Sequence, residues 1–167
     1  RHRVLLMLTA VIRSDGSQQA LAATLAVLIP AVAEGFLGHA VIVDTTGSPE
    51  IERAADATGA RYLRADKNSA WRNGAAGARG DRLVLFEAGD VPQAHWVQAV
   101  ERHLLLAAGK PALIPSRGVA ASLRERVAFS MGGRALGAGL VMPKAMALVG
   151  RLDRAPVRLP VQRERAG

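Results

Sequence analysis

Glu87 and Asp90 are the residues in this chain whose types and spacing most directly suggest chemistry. They flank Ala88-Gly89 and follow the short apolar run Leu83-Val84-Leu85-Phe86. Such a run is the pattern of a strand buried on both faces of a parallel sheet. Carboxylates at the C-terminal end of a buried strand stand where ligands bind in open α/β sheets. Two acids that close together can hold a hard divalent cation and, through it, a phosphate. The same residues also read as a solvated acidic turn. Asp44 is the third candidate, because it ends a second apolar run, Ala40-Val41-Ile42-Val43, and precedes Thr45-Thr46-Gly47-Ser48. It can accept from a pyrimidine ring N–H or a ribose hydroxyl, or it can cap its own loop as an Asx-type turn.

The elements that must position these acids are legible as an alternation. Residues 4–12 predict a first buried strand, and Arg13-Ser14-Asp15-Gly16-Ser17 predicts a turn into an apolar helix over residues 18–33. Pro30 is expected to kink or end that helix near Ile29. Residues 40–43 predict the second strand, followed by a helix with Ser48 as N-cap, Pro49 at its first position and Gly59 at its end. Residues 60–64 predict a third strand, and residues 66–79 a helix rich in small residues. A long helix over 92–108 carries Trp96, Val100, Leu104 and Ala107 on one stripe. Further elements are a strand at 112–114, a helix at 119–130, a short strand at 139–142 and a short helix at 143–149. The tail from Gly150 holds Pro156 and Pro160 and reads as irregular. Strands alternating with helices at this spacing predict a parallel sheet with right-handed crossovers. The whole reads as one domain, residues 1–167.

Composition narrows the function. The chain has 167 residues, of which half are apolar and 4% aromatic, and a formal charge of +8. That charge suggests an anionic partner: a nucleotide, a phospholipid surface or a nucleic acid. Nucleic acid is disfavoured, because the basic residues are scattered and no aromatic residues interleave with their densest group, in the tail, to stack bases. The densest basic group is Arg151, Arg154, Arg158, Arg163 and Arg165 in the tail. There is no cysteine, which excludes disulfides, thiolate metal sites and a cysteine nucleophile. No apolar run is long enough for a transmembrane segment and no signal-peptide layout is present. The first residue is Arg1, which suggests a trimmed N-terminus. Dinucleotide (G-x-G-x-x-G), phosphate-loop and G-x-S-x-G motifs are all missing. The four histidines are dispersed, and His95 and His103 read as helix-surface residues.

One ordered set of motifs carries a resemblance. V-I-V-D-T-T-G-S-P-E-I, G-A-R-Y-L-R-A, an Asn- and Gly-bearing helix, A-R-G-D-R-L-V-L-F-E-A-G-D-V-P and a downstream Trp together resemble a family-2 glycosyltransferase. The opening S-D-G-S-Q-Q-A-L-A-A-T-L and the later G-A-G-L-V-M-P-K-A-M-A-L-V-G extend it over residues 4–150. The resemblance implies a three-layer α/β/α sandwich with a mainly parallel central sheet, of the GT-A or nucleotide-diphospho-sugar transferase type. It implies sugar transfer from a nucleotide-diphospho-sugar to an acceptor, lipid-linked or saccharide. Thr9, Asp44 and Arg72 would bind the nucleotide, and Glu87 with Asp90 would hold Mg²⁺ or Mn²⁺ on the diphosphate. The location implied is cytoplasmic, with peripheral attachment to the inner face of a membrane as an extension. Aligned on G-D and Pro92, however, the family's two metal acids fall on Glu87 and Gly89, and Asp90 sits one residue late. Gly89 would leave Asp90 free to swing into the vacant position. The family's helix Asn falls on Arg72, with Asn73 displaced by one. In the acceptor region only Asp153 is offered, without the family's Glu-Asp pair. A catalytically reduced nucleotide-binding or interaction module on the same fold is therefore the alternative.

Overall fold

The structure, a computed structural model, describes residues 8–166. Residues 4–7 of the first expected strand lie outside the described residues. Seven strands form one sheet: β1 (Leu8–Ser14), β2 (Leu37–Asp44), β3 (Arg61–Arg64), β4 (Arg82–Glu87), β6 (Ala112–Leu113), β7 (Leu140–Pro143) and β8 (Val157–Arg158). Their spatial order is β3-β2-β1-β4-β7-β6-β8. β1, β2, β3 and β4 run parallel, and only β7 is antiparallel to its neighbours. The strands at residues 8–12, 40–43 and 83–86 thus lie parallel in one sheet, as their apolar runs predict.

Alternation along each strand feeds two cores. Leu8, Ala10, Ile12, Ile42, Val84 and Phe86 face α1 (Gln18–Ala33), α2 (Pro49–Thr58) and α4 (Trp96–Ala107). Val11, Val41, Val43, Leu83 and Leu85 face α3 (Ala70–Gly77) and α6 (Lys144–Val149). Helices on both faces explain why the strands are apolar throughout. Trp96 fixes α4 by edge-on contacts with Phe36 at 5.7 Å and Phe86 at 5.9 Å between ring centroids. Among the described residues no helix is long and apolar enough to cross a membrane.

α3 lies close to the sheet because residue 74 has no side chain. A Cβ there would collide with Val11 and stand 3.0 Å from Val43 Cγ2. Gly74→Ala is therefore expected to destabilise the protein by about 1–3 kcal/mol, the usual range for overpacking a filled core. Chemical denaturation measures this, and an unchanged midpoint would mean that α3 moves out freely.

Several local expectations are overridden. α1 runs through Pro30 to Ala33. Proline there costs only one bond in the last turn, and the amides of Glu34 and Phe36 close the end on the carbonyls of Pro30 (3.0 Å) and Ala31 (2.9 Å). β1 extends through Arg13 and Ser14, which the sequence places in a turn. The long helix expected from residue 92 begins at Trp96, and residues 90–92 form a short strand instead, β5 (Asp90–Pro92). His103 is buried rather than solvent-facing, with Nε2 2.8 Å from the Lys110 carbonyl oxygen.

The tail is ordered, against the expectation of irregularity. Leu152, Leu159 and Val161 are buried, β8 joins the sheet edge, and β9 (Arg163–Arg165) pairs antiparallel with β5. The backbone amides of Val157 and Leu159 donate to the carbonyls of Pro111 (3.0 Å) and Leu113 (2.9 Å). Pro156 and Pro160 lie just outside this ladder, where no donor is required.

Candidate nucleotide site at the sheet's switch point

The chain leaves β1 toward β2 and returns on its other side as β4, so the switch point lies between the C-terminal ends of β1 and β4. Arg13 and Glu87 are register partners there. Arg13 grips Glu87 with both edges of its guanidinium, Nε to Oε2 at 2.7 Å and Nη2 to Oε1 at 3.3 Å. The same guanidinium lies over the Trp71 ring, 4.6 Å from its centroid, and Nη1 donates to the Lys67 carbonyl at 3.4 Å. A forked pair stacked on an aromatic face suits Arg and would not suit Lys.

Asp90 does not reach toward Glu87's side chain. It is 1% exposed and folds back, with Oδ2 accepting from the Glu87 amide at 2.8 Å. Its Oδ1 accepts from Arg165 Nη1 at 2.9 Å, so the tail strand delivers a second guanidinium to the turn. Thr24 on α1 locks the loop: its hydroxyl donates to the Asp90 carbonyl (2.8 Å) and accepts from the Gly89 amide (2.9 Å). Gly89 has φ +103°, which favours glycine, and Arg165 lies where its Cβ would be. The glycine thus serves the turn and the tail contact. It does not release Asp90 to swing.

This donor set does not fit a divalent cation. Glu87 and Asp90 each already hold their own guanidinium, and no group of three metal-ligating side chains occurs among the described residues. A hard cation needs several converging oxygens, and here the oxygens are turned to separate partners.

Asp44, also 1% exposed, is taken up by its own surroundings. Oδ1 accepts from the Thr46 amide (2.9 Å) and hydroxyl (2.8 Å); Oδ2 accepts from the Ser48 amide (2.7 Å) and the Tyr62 hydroxyl (2.7 Å). Burial alone would raise its pKa, but these bonds outweigh it and hold the carboxyl below the ordinary value. Burial, and then the bond to Asp44, push Tyr62 up to about 12. Arg64, at the end of β3, lays its guanidinium across Gly47 in this loop.

Thr9 and Arg72 are not brought to the switch point. Thr9 is fully buried near the start of β1, where its hydroxyl accepts from the Gly80 amide at 3.3 Å. Four residues of strand separate it from Arg13, about 13 Å. Arg72 is exposed and lies against Gly150 at the end of α6, while its neighbour Trp71 carries Arg13. Arg13, Trp71 and Arg165 are the site residues that sequence reasoning missed. Arg13 alone had a local signal, since it closes an apolar run. A cavity of about 530 Å³ lined by Pro143, Ala145, Met146, Val149 and Leu152 lies beside α6 and shares no residue with the acidic turn.

A seven-stranded, mostly parallel sheet between helical layers is the GT-A fold of nucleotide-sugar glycosyltransferases. Among solved structures the chain is similar to glucosyl-3-phosphoglycerate synthase from Mycobacterium tuberculosis. In complex with Mn²⁺, uridine diphosphate and phosphoglyceric acid, that enzyme superposes with a TM-score of 0.66 at 15% identity, over 84% of this chain and 56% of that one. In complex with Mn²⁺, uridine diphosphate and glucosyl-3-phosphoglycerate it gives 0.65 at 15% identity, over 96% of this chain and 72% of that one. A further mycobacterial protein gives 0.65 at 16% identity, over 84% and 54%. The chain therefore spans little more than half the length of most of these neighbours. No family model matches the chain, and no curated protein matches it.

Proposed function

We propose that this chain is a glycosyltransferase-like donor-binding unit that holds a nucleotide-diphospho-sugar at the C-terminal edge of its sheet. In it, guanidinium groups do the work of charge neutralisation that Mg²⁺ or Mn²⁺ does on the acidic motif of the family it resembles. The observation that carries this reading is the Arg13–Glu87 pair on Trp71 at the switch point, with Arg165 on Asp90 beside it. Each acid is neutralised by a cation of the protein itself, so a diphosphate meets a turn that no longer repels it. Arg64, exposed at the end of β3, and Lys67, exposed just after it, add positive charge on the same edge. Asp44 acts in this reading by holding the Thr46–Ser48 loop in place through its four bonds, with Tyr62 as the far post. The acceptor is a hydroxyl compound, lipid-linked or saccharide, and the location cytoplasmic, as the resemblance implies. Transfer is weak or absent in this unit taken alone, because Asp44, Glu87 and Asp90 are each committed to internal partners and none of the three is poised as a base.

Calorimetric titration with uridine diphosphate tests the reading. Saturable binding is expected with similar affinity in Mn²⁺ and in chelator, and Arg13→Gln should weaken it about tenfold in chelator, since Glu87 then stands uncompensated beside the diphosphate. Binding that requires Mn²⁺ in the unmodified protein would restore the metal to the acidic turn. No binding in either buffer would remove the donor reading.

A further inference from the structure

We propose that α5 (Val119–Ser130) is a docking helix for an anionic lipid surface. The inference is independent of the donor site. No residue of α5 is buried, yet the helix carries a row of large apolar side chains. Val119, Leu123, Val127 and the helix-ending Met131 are 86, 59, 46 and 81% exposed. They recur every four residues, so at 100° per residue they form one stripe. The opposite side faces the protein. There Ser122 accepts from Arg158 at 3.0 Å, Glu125 accepts from the Ser116 amide at 2.9 Å and pairs with Arg163, and Phe129 packs on the core. The usual arrangement of a surface helix is thus inverted: Ser122 and Glu125 are bonded inward and the aliphatic row points away from the protein.

Charge identifies the occupant. Arg124 and Arg126 are exposed and fall on either flank of the apolar row. The helix's one acid, Glu125, is turned inward, so no carboxylate of α5 faces outward. An apolar row bordered by arginines is the pattern of a helix lying in a membrane interface, with its side chains among the acyl chains and its cations at the headgroups. Four partly exposed side chains bind weakly alone, and attraction of the arginines to anionic headgroups supplies the rest. A second copy fits poorly, because two such faces would bring like-charged arginines together. A nucleic acid fits poorly too, because the row is aliphatic and offers bases nothing to stack on. The Arg-rich tail, the densest basic group in the sequence, is less suited to this role: Arg163 is buried on Glu125, Arg165 holds Asp90, Arg158 donates to Ser122 and Arg154 is paired with Asp153.

Co-sedimentation with vesicles tests this. The full chain is expected to bind vesicles of phosphatidylcholine mixed with phosphatidylglycerol, to bind phosphatidylcholine alone far less, and to dissociate at high salt. Leu123→Glu with Val127→Glu should lower binding about tenfold while leaving the melting temperature unchanged, since both positions are exposed. Arg124→Gln with Arg126→Gln should also lower it about tenfold, and only on the anionic vesicles. Leu105→Glu with Leu106→Glu, two exposed leucines on α4, should leave binding unchanged. The proposal is overturned if the α5 variants bind as well as the unmodified chain, if binding ignores headgroup charge, or if vesicles are not bound at all. It is equally overturned if light scattering shows a dimer that Leu123→Glu dissolves, since the row then belongs to a second copy.

Discussion

Asp44→Ala is expected to destabilise the protein by about 3 kcal/mol, because it strands two backbone amides and two hydroxyls that now share one buried carboxylate. For a chain of this size that lowers the melting temperature by about 6–12 °C. An alanine variant of normal stability that nevertheless fails to bind uridine diphosphate would instead return Asp44 to direct contact with the nucleotide. Asp44→Asn gives a sharper readout, because Tyr62 is the protein's one tyrosine. Phenolate absorbance should titrate at about 12 in the unmodified protein. It should move down in the variant without reaching the ordinary value, since burial, the larger cause, remains. The pH dependence follows from the two directions. Asp44 is depressed in the folded state, so its contribution is full above the ordinary carboxylate pKa and is lost as pH falls below it. Tyr62 is raised, so its contribution is full below pH 10 and is lost as pH rises through about 12. A tyrosine titrating near 10 in the unmodified protein would show that the Asp44–Tyr62 bond does not persist in solution.

The second large effect is a gain. In the unmodified protein Mn²⁺ should leave the melting temperature almost unchanged, because both acids of the turn already hold guanidinium groups. Arg13→Gln with Arg165→Gln leaves Glu87 and Asp90 without counter-charges, and two uncompensated carboxylates in one short turn favour a cation. Mn²⁺ at about a hundred times its dissociation constant should then raise the melting temperature by about 5–10 °C, from the mass-action stabilisation of a protein this size. Arg165→Gln alone carries the same test in smaller measure, since Arg13 still neutralises Glu87. A large Mn²⁺ response in the unmodified protein, or none in either variant, would remove the arginines from the role of the cation.

Local sequence was enough for the scaffold of this site. Leu83-Val84-Leu85-Phe86 and Ala40-Val41-Ile42-Val43 are apolar throughout, which only a doubly covered strand tolerates, and both lie in the parallel part of the sheet. Ser48 caps α2 as its position predicts, Ser17 from the expected turn caps α1, each side chain accepting from a backbone amide, and Gly59 ends α2 in the left-handed conformation. Capping and periodicity are properties of a few consecutive residues, so one sequence suffices to read them.

What the acids do was decided elsewhere. Arg13 and Glu87 are 74 residues apart, and Arg165 and Asp90 are 75 apart. Their pairing depends on which strand lies beside β1 and on a tail that folds back over β5. The same holds for Pro30, which α1 accommodates because only its last turn is affected, and for α5, whose apolar row acquires meaning once Glu125 is seen bonded inward. Element type is set by short-range sterics and burial pattern, and these are written residue by residue. The partner of a charge is set by register and strand order, which arise only when the distant segments pack.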